Sequence, residues 1–169
     1  MRKVILYTAS SLDGYIAGPN HDLDWLFDDD DYGYHSFYDS VSSTLMGNAT
    51  YRLVLTFGDF PYKDKENFVF TRNSELKNNE HVQFVSANIS GFVRDLKSQQ
   101  GSDIWLIGGG QVNTLFLNNG LTDEMIISLH PVILGKGIPL FPAVDEPVQF
   151  KMSTFHKYKS GLVQITYKK

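Results

Sequence analysis

The chain has 169 residues, within the ~100–200 residues of one domain. Its 42% hydrophobic and 20% charged residues suit a packed globular protein and exclude a disordered one. The net charge of −4 gives no basic footprint for nucleic acid, no apolar run approaches the ~18–20 residues of a membrane helix, and the absence of cysteine excludes disulfides and thiolate chemistry.

Residues 3–9 (Lys-Val-Ile-Leu-Tyr-Thr-Ala) read as a buried strand, a short apolar run with β-branched residues. The basic-then-apolar start is too short for a signal peptide and lacks a cleavage site, so a cytoplasmic protein is expected. Residues 10–24 carry two glycines, a proline, an asparagine and several aspartates, and form a loop. The run Asp28-Asp29-Asp30-Asp31 reads as a solvated loop or a helix start. As a metal cluster it lacks the alternating oxygen ligands of a calcium loop. Tyr34, Phe37, Tyr38 and Val41 lie at helical spacing in a helix over 34–44, which leads into a short strand at Thr44-Leu45-Met46-Gly47. A short helix follows over 49–55, then strands over 67–71 and 82–86, then a helix over 89–98 with Ile89, Phe92, Val93 and Leu96 on one face. A strand over 103–107 runs into Gly108-Gly109-Gly110 and a helix over 111–118, followed by a strand over 123–129. Residues 148–157 and 162–168 alternate around Lys159-Ser160-Gly161 and predict a C-terminal antiparallel hairpin. Strands interleaved with helices make this an α/β chain with a mainly parallel sheet, a single domain over 1–169.

Three strand ends carry chemistry. At Ile107-Gly108-Gly109-Gly110-Gln111-Val112 a strand ends in glycines that let the backbone approach a ligand, and a helix N-terminus behind them suits phosphate. The spacing is neither GxGxxG nor a Walker A loop, and a tight turn that binds nothing is the alternative. At Gly47-Asn48-Ala49-Thr50 a second strand ends beside Thr50; the alternative is an ordinary helix cap. Thr71 and Arg72 put a hydroxyl and a planar fork of donors just past a third strand, where the plain reading is a surface arginine. The five histidines show no metal spacing, so no metal site is expected; His130, before Pro131, reads as structural. There is no GxSxG elbow.

Taken with Ser11-Leu12-Asp13-Gly14-Tyr15-Ile16-Ala17-Gly18 and Leu134-Gly135-Lys136-Gly137-Ile138-Pro139-Leu140-Phe141, these motifs resemble the dihydrofolate reductase-like superfamily. The order and spacing match the branch of the C-terminal reductase domain of the bifunctional riboflavin-biosynthesis deaminase–reductase and its stand-alone relatives. The resemblance implies a three-layer fold, a twisted and mostly parallel central sheet flanked by helices, with an NADPH site across the carboxyl ends of the strands. It places Ile107, Gly108, Gly109, Gly110, Gln111 and Val112 along the pyrophosphate, with Gly47, Asn48 and Thr50 opposite. Thr71 and Arg72 would face the 2′-phosphate, and Ala9 and Ile16 the nicotinamide carboxamide. Asn48 stands where the branch carries a basic residue, which leaves NADPH preference over NADH resting on Arg72. Asn113 replaces an aromatic residue typical of folate reductases.

On the substrate side the resemblance suggests Trp25, Phe57, Ser128 and Lys136, with Asp13 and residues 134–141 at the rim. Asp31, or a water it holds, is the expected proton donor, and the loop 12–26 a lid. The implied activity is hydride transfer from NADPH to a C=N or C=O carbon of a small heterocyclic or sugar-like substrate, such as 5-amino-6-(5-phosphoribosylamino)uracil. Folate-type reduction and nucleotide binding without turnover are the alternatives. A homodimer is expected by resemblance, with neither a membrane nor a nucleic-acid partner.

Overall fold

The hydrophobic period switches between two and 3.6 along the chain, and the backbone follows it. The computed structural model describes residues 1–169. Its elements are β1 (Val4–Ser10), β2 (Tyr15–Ala17), α1 (Tyr34–Ser40), β3 (Val41–Gly47), α2 (Asn48–Leu55), β4 (Glu66–Phe70), β5 (Val82–Val85), α3 (Ile89–Ser98), β6 (Asp103–Gly108), α4 (Gly110–Asn118), β7 (Glu124–Leu129), β8 (Ile138–Pro139), β9 (Lys151–Lys157) and β10 (Val163–Lys168).

Eight strands form one sheet in the order β5-β4-β3-β6-β1-β7-β10-β9. The first six of these pair in parallel, and β10 runs antiparallel to both β7 and β9. Helices cover both faces, so the central strands read as continuous apolar runs. On β1, Val4 and Leu6 face a core shared with Leu45, Ile104, Leu106, Val93 and Phe116. Ile5 faces the other side, with Phe37, Val41 and Trp105. That alternation is the pleat of the strand. Arg2 staples the sheet's lower edge: its guanidinium is buried and donates to the Ser102 carbonyl at 2.6 Å and to the hydroxyls of Ser42 and Ser43 at 3.0 and 2.6 Å.

Three boundaries differ from the sequence reading. The helix expected over 34–44 stops at Ser40, because Val41 is already extended and opposite Asp103 of β6. The ladder to β6 and β4 takes Val41, Ser43 and Thr44 out of the helix, and the serines and β-branched residues there resist little. The expected loop 10–24 contains β2, which pairs with β8 through Tyr15–Pro139 and Ala17–Ile138. The hairpin begins at Lys151 rather than 148, since β10 ends at Lys168, the partner of Lys151. β9 is a free edge strand, exposed throughout, with Met152 and Phe155 at 60% and 66% exposure.

Candidate active site

The parallel strands β1, β3, β4 and β6 end along one edge of the sheet, the edge at which open α/β folds bind ligands. There the turns after β3 and β6 are tied together: the Gly109 amide donates to Thr50 Oγ1 at 2.9 Å. A Cβ on Gly109 would lie 3.3 Å from that oxygen and 3.7 Å from Ile16 Cδ1, and one on Gly47 would lie 3.0 Å from Val112 Cγ2. Gly109 therefore sits against Thr50 and Ile16, and Gly47 against Val112 and the Gly108 carbonyl, so the two turns adjoin; Ile107 of β6 is half-buried. Gly108 has φ +98° and a cis bond to Gly109. The third glycine has a further reason to be glycine: a Cβ on Gly110 would strike the Pro139 carbonyl oxygen, so this position admits the β8 segment against α4. Gly110 and Gln111 open α4, where amides have no carbonyl of their own helix to reach. Asn48 opens α2. Beyond β4, Thr71 Oγ1 accepts the Asn73 amide at 3.1 Å, and Arg72 is exposed and makes no ion pair.

The β2–β8 pair closes over this edge and is latched from below. The Asp13 carboxylate accepts the Leu134 and Gly135 amides at 3.1 and 2.7 Å and the Ser11 hydroxyl at 2.7 Å. Desolvation pushes its pKa up, but these hydrogen bonds outweigh it and hold the carboxyl below its ordinary value.

Beside Ala9 opens a cavity of about 450 Å³. Its Tyr7, Tyr32 and Ser128 are joined by a polar network. Gln164 Nε2 donates to Ser128 Oγ and to the Tyr32 carbonyl, both at 3.0 Å, and the Tyr7 hydroxyl donates to the same carbonyl at 3.2 Å. Burial pushes the Tyr7 phenol up to about 12, against the lowering effect of Gln164, so it stays a neutral donor. His130 is 3% exposed, with Trp25 and Phe27 edge-on to its ring at 5.2 and 5.0 Å. Its Nδ1 lies 3.0 Å from the Ser128 carbonyl, which can only accept, so Nδ1 carries the proton. Burial lowers its pKa more than that bond raises it, so the ring is neutral, and its Nε2 has no partner in the protein.

Asp31 lines the same cavity. Its Oδ1 accepts the His35 amide at 3.1 Å and is bonded to His35 Nδ1. Desolvation raises the Asp31 pKa, but the His35 amide, ring and charge together hold it below the usual carboxylate value. Asp31 is thus a carboxylate at neutral pH.

Of the residues suggested for the substrate side, Ser128 lines the cavity and Trp25 supports it through His130. Phe57 is 68% exposed past the end of α2, and Lys136 is exposed between Gly135 and Gly137; neither lines the cavity. The sequence reading missed Tyr7, Phe27, Tyr32 and Gln164 and treated His130 as structural. A histidine one residue past a parallel strand was the available signal.

The family model described as RibD C-terminal domain matches residues 2–164. The chain is 36% identical to the uncharacterised protein YwjB of Bacillus subtilis (strain 168), over 98% of this chain and 97% of that protein. A Shewanella sp. PV-4 structure named for riboflavin biosynthesis superposes with a TM-score of 0.88 at 30% identity, covering 98% of each chain. The diaminohydroxyphosphoribosylaminopyrimidine deaminase/5-amino-6-(5-phosphoribosylamino)uracil reductase of Thermotoga maritima superposes with a TM-score of 0.74 at 22% identity; 99% of this chain covers 56% of that one. The fold is of the dihydrofolate reductase type.

Proposed function

The chain belongs to the RibD C-terminal domain family, and we propose that it is an NADPH-dependent reductase of a small heterocyclic or sugar-like substrate. The observation that carries the reading is the tie between Thr50 and the Gly109 amide. It holds two helix N-termini and Ile16 against one glycine turn, next to a cavity that reaches Ala9. The donors fit the cofactor: opening amides of α4 for a pyrophosphate, and a guanidinium free of ion pairs at Arg72 for a 2′-phosphate.

When bound, NADPH supplies the hydride. The chain's own residues position and solvate the reacting carbon. Ala9 and Ile16 present backbone groups where a carboxamide would sit, and Thr50 fixes the turn that sets the depth of the groove. Ser128, oriented by Gln164, offers its hydroxyl proton to the substrate. Asp31, ionised and held by His35, accepts a substrate N–H or orients a water that delivers the proton. The β2–β8 pair sets Ile16 beside Gly109 and Pro139 beside Gly110 at this edge.

Titration with NADPH and NADH, read by cofactor fluorescence and by melting temperature, tests the reading. Saturable NADPH binding is expected; no binding of either nucleotide overturns it. Reduction of 5-amino-6-(5-phosphoribosylamino)uracil is the second reading, favoured by the family match over residues 2–164. NADPH oxidation with that compound tests it directly.

A further inference from the structure

We infer that the cavity beside Ala9 selects an unphosphorylated nitrogen heterocycle that is neutral or cationic and carries ring-edge N–H donors. The proposal rests on the reductase reading for the chemistry done there, and on the cavity's own residues for the selection.

The charge inventory is one-sided. Asp28, Asp30 and Asp31 line the cavity, and no lysine or arginine does. Asp31 shares its charge with the His35 ring, whereas Asp28 and Asp30 make no ion pair. The remaining nitrogen base, His130, is buried and neutral. A phosphate dianion placed here would meet two uncompensated carboxylates and no counter-charge. The neighbouring cavity of about 510 Å³, which shares Tyr32 and Asp30 with this one, is lined by Lys157 and Lys159 together with Asp29 and Asp30, and neither lysine pairs with Asp28 or Asp30. Lys136 lies elsewhere on the surface.

The hydrogen-bonding inventory points the same way. His130 is 97% buried (3% exposed), and its unpaired Nε2 is an acceptor in the cavity wall. The carboxylates only accept. Ser128 Oγ is already accepting from Gln164, which leaves its proton as a single donor. Acceptors in excess require a ligand rich in donors, as amino-substituted ring edges are. Tyr7, Phe27 and Tyr32 supply aromatic walls for a flat ring.

Three probes of one ring size isolate the charge: benzamidine (cation), benzamide (neutral) and phenyl phosphate (anion). Each is titrated at neutral pH and read by tryptophan fluorescence. Trp25 packs on His130 at the cavity, while Trp105 is buried in the core. Benzamidine is expected to bind at least tenfold more tightly than phenyl phosphate, with benzamide between them. Asp28, which makes no hydrogen bond in the protein, is the clean variant. Asp28→Lys narrows the gap at least fivefold and Asp28→Asn narrows it less, while Asp145→Lys on the distant surface leaves it unchanged. Phenyl phosphate binding as tightly as benzamidine, no saturable benzamidine binding, or an unchanged gap in both Asp28 variants overturns the proposal. NADPH is titrated separately. Its failure to bind sinks the reductase reading and leaves the charge selection standing, and a reversed probe order does the opposite.

Discussion

Thr50→Val keeps the shape of the side chain and removes the oxygen that accepts the Gly109 amide at 2.9 Å. Gly109 is half-buried between Thr50 and Ile16, so water replaces the lost acceptor only in part. A buried donor left without a partner costs about 1–3 kcal/mol. At roughly 2–4 °C per kcal/mol for a chain of this size, the melting temperature should fall by about 2–12 °C. The same turn sets the amides of α4, so NADPH affinity should fall as well. Spending the same ~1–3 kcal/mol on the bound state is roughly a 5- to 150-fold rise in Kd. Thr50→Ser restores the oxygen and should recover most of both losses. The assay is differential scanning calorimetry beside fluorescence titration of NADPH. A Thr50→Val protein that melts with the wild type and binds NADPH within twofold refutes the reasoning. One that melts early but binds normally makes Thr50 a structural tie with no part in the cofactor groove.

Arg72→Ala should weaken NADPH about 10- to 100-fold, the range of a charge-assisted phosphate contact, and leave NADH within about twofold; equal weakening of both shows that Arg72 does not read the 2′-phosphate. Gly110→Ala puts a methyl against the Pro139 carbonyl, and at ~1–3 kcal/mol for overpacking it should lower the melting temperature and speed hydrogen exchange across 138–142. The Asp31 carboxyl is depressed in the folded state, so its ionised form is complete above the unfolded value of about 3.9 and is lost only as pH falls through the lower folded value. The acid limb of kcat/KM should therefore lie below the ordinary carboxylate range. His35→Ala should move it upward, because desolvation then acts with less opposition, and Asp31→Asn should abolish it. Light scattering tests the expected homodimer: if two copies pair through the free edge of β9, Phe155→Lys should yield monomer, and an unchanged mass excludes that edge.

The strand ends that meet around Gly109 were legible in the sequence because their signals are local. A strand-period run that stops at Gly47 or Gly108 and resumes with helix period announces a strand end, a turn and a helix N-terminus within ten residues. The cavity beside Ala9 was not, because its members meet only through the order of the strands. Gln164 looks like any alternating polar residue of a hairpin strand. It comes to hold a cavity residue because β10 pairs with β7 and sets it opposite Ser128, which in turn lies opposite Ala9 of β1. Phe57 and Lys136 lie outside this cavity, since no strand pairing carries either of them across the sheet. The aspartate run reads as a solvated loop or a helix start, with a metal cluster as the alternative and Asp31 as the expected proton donor. Asp31 accepts the His35 amide in the first turn of α1 and also lines the cavity. A short polar loop beside a sheet edge serves both ends whenever the helix it opens covers the sheet face next to the strand ends, as α1 does by placing Phe37 on Tyr7 at 4.2 Å.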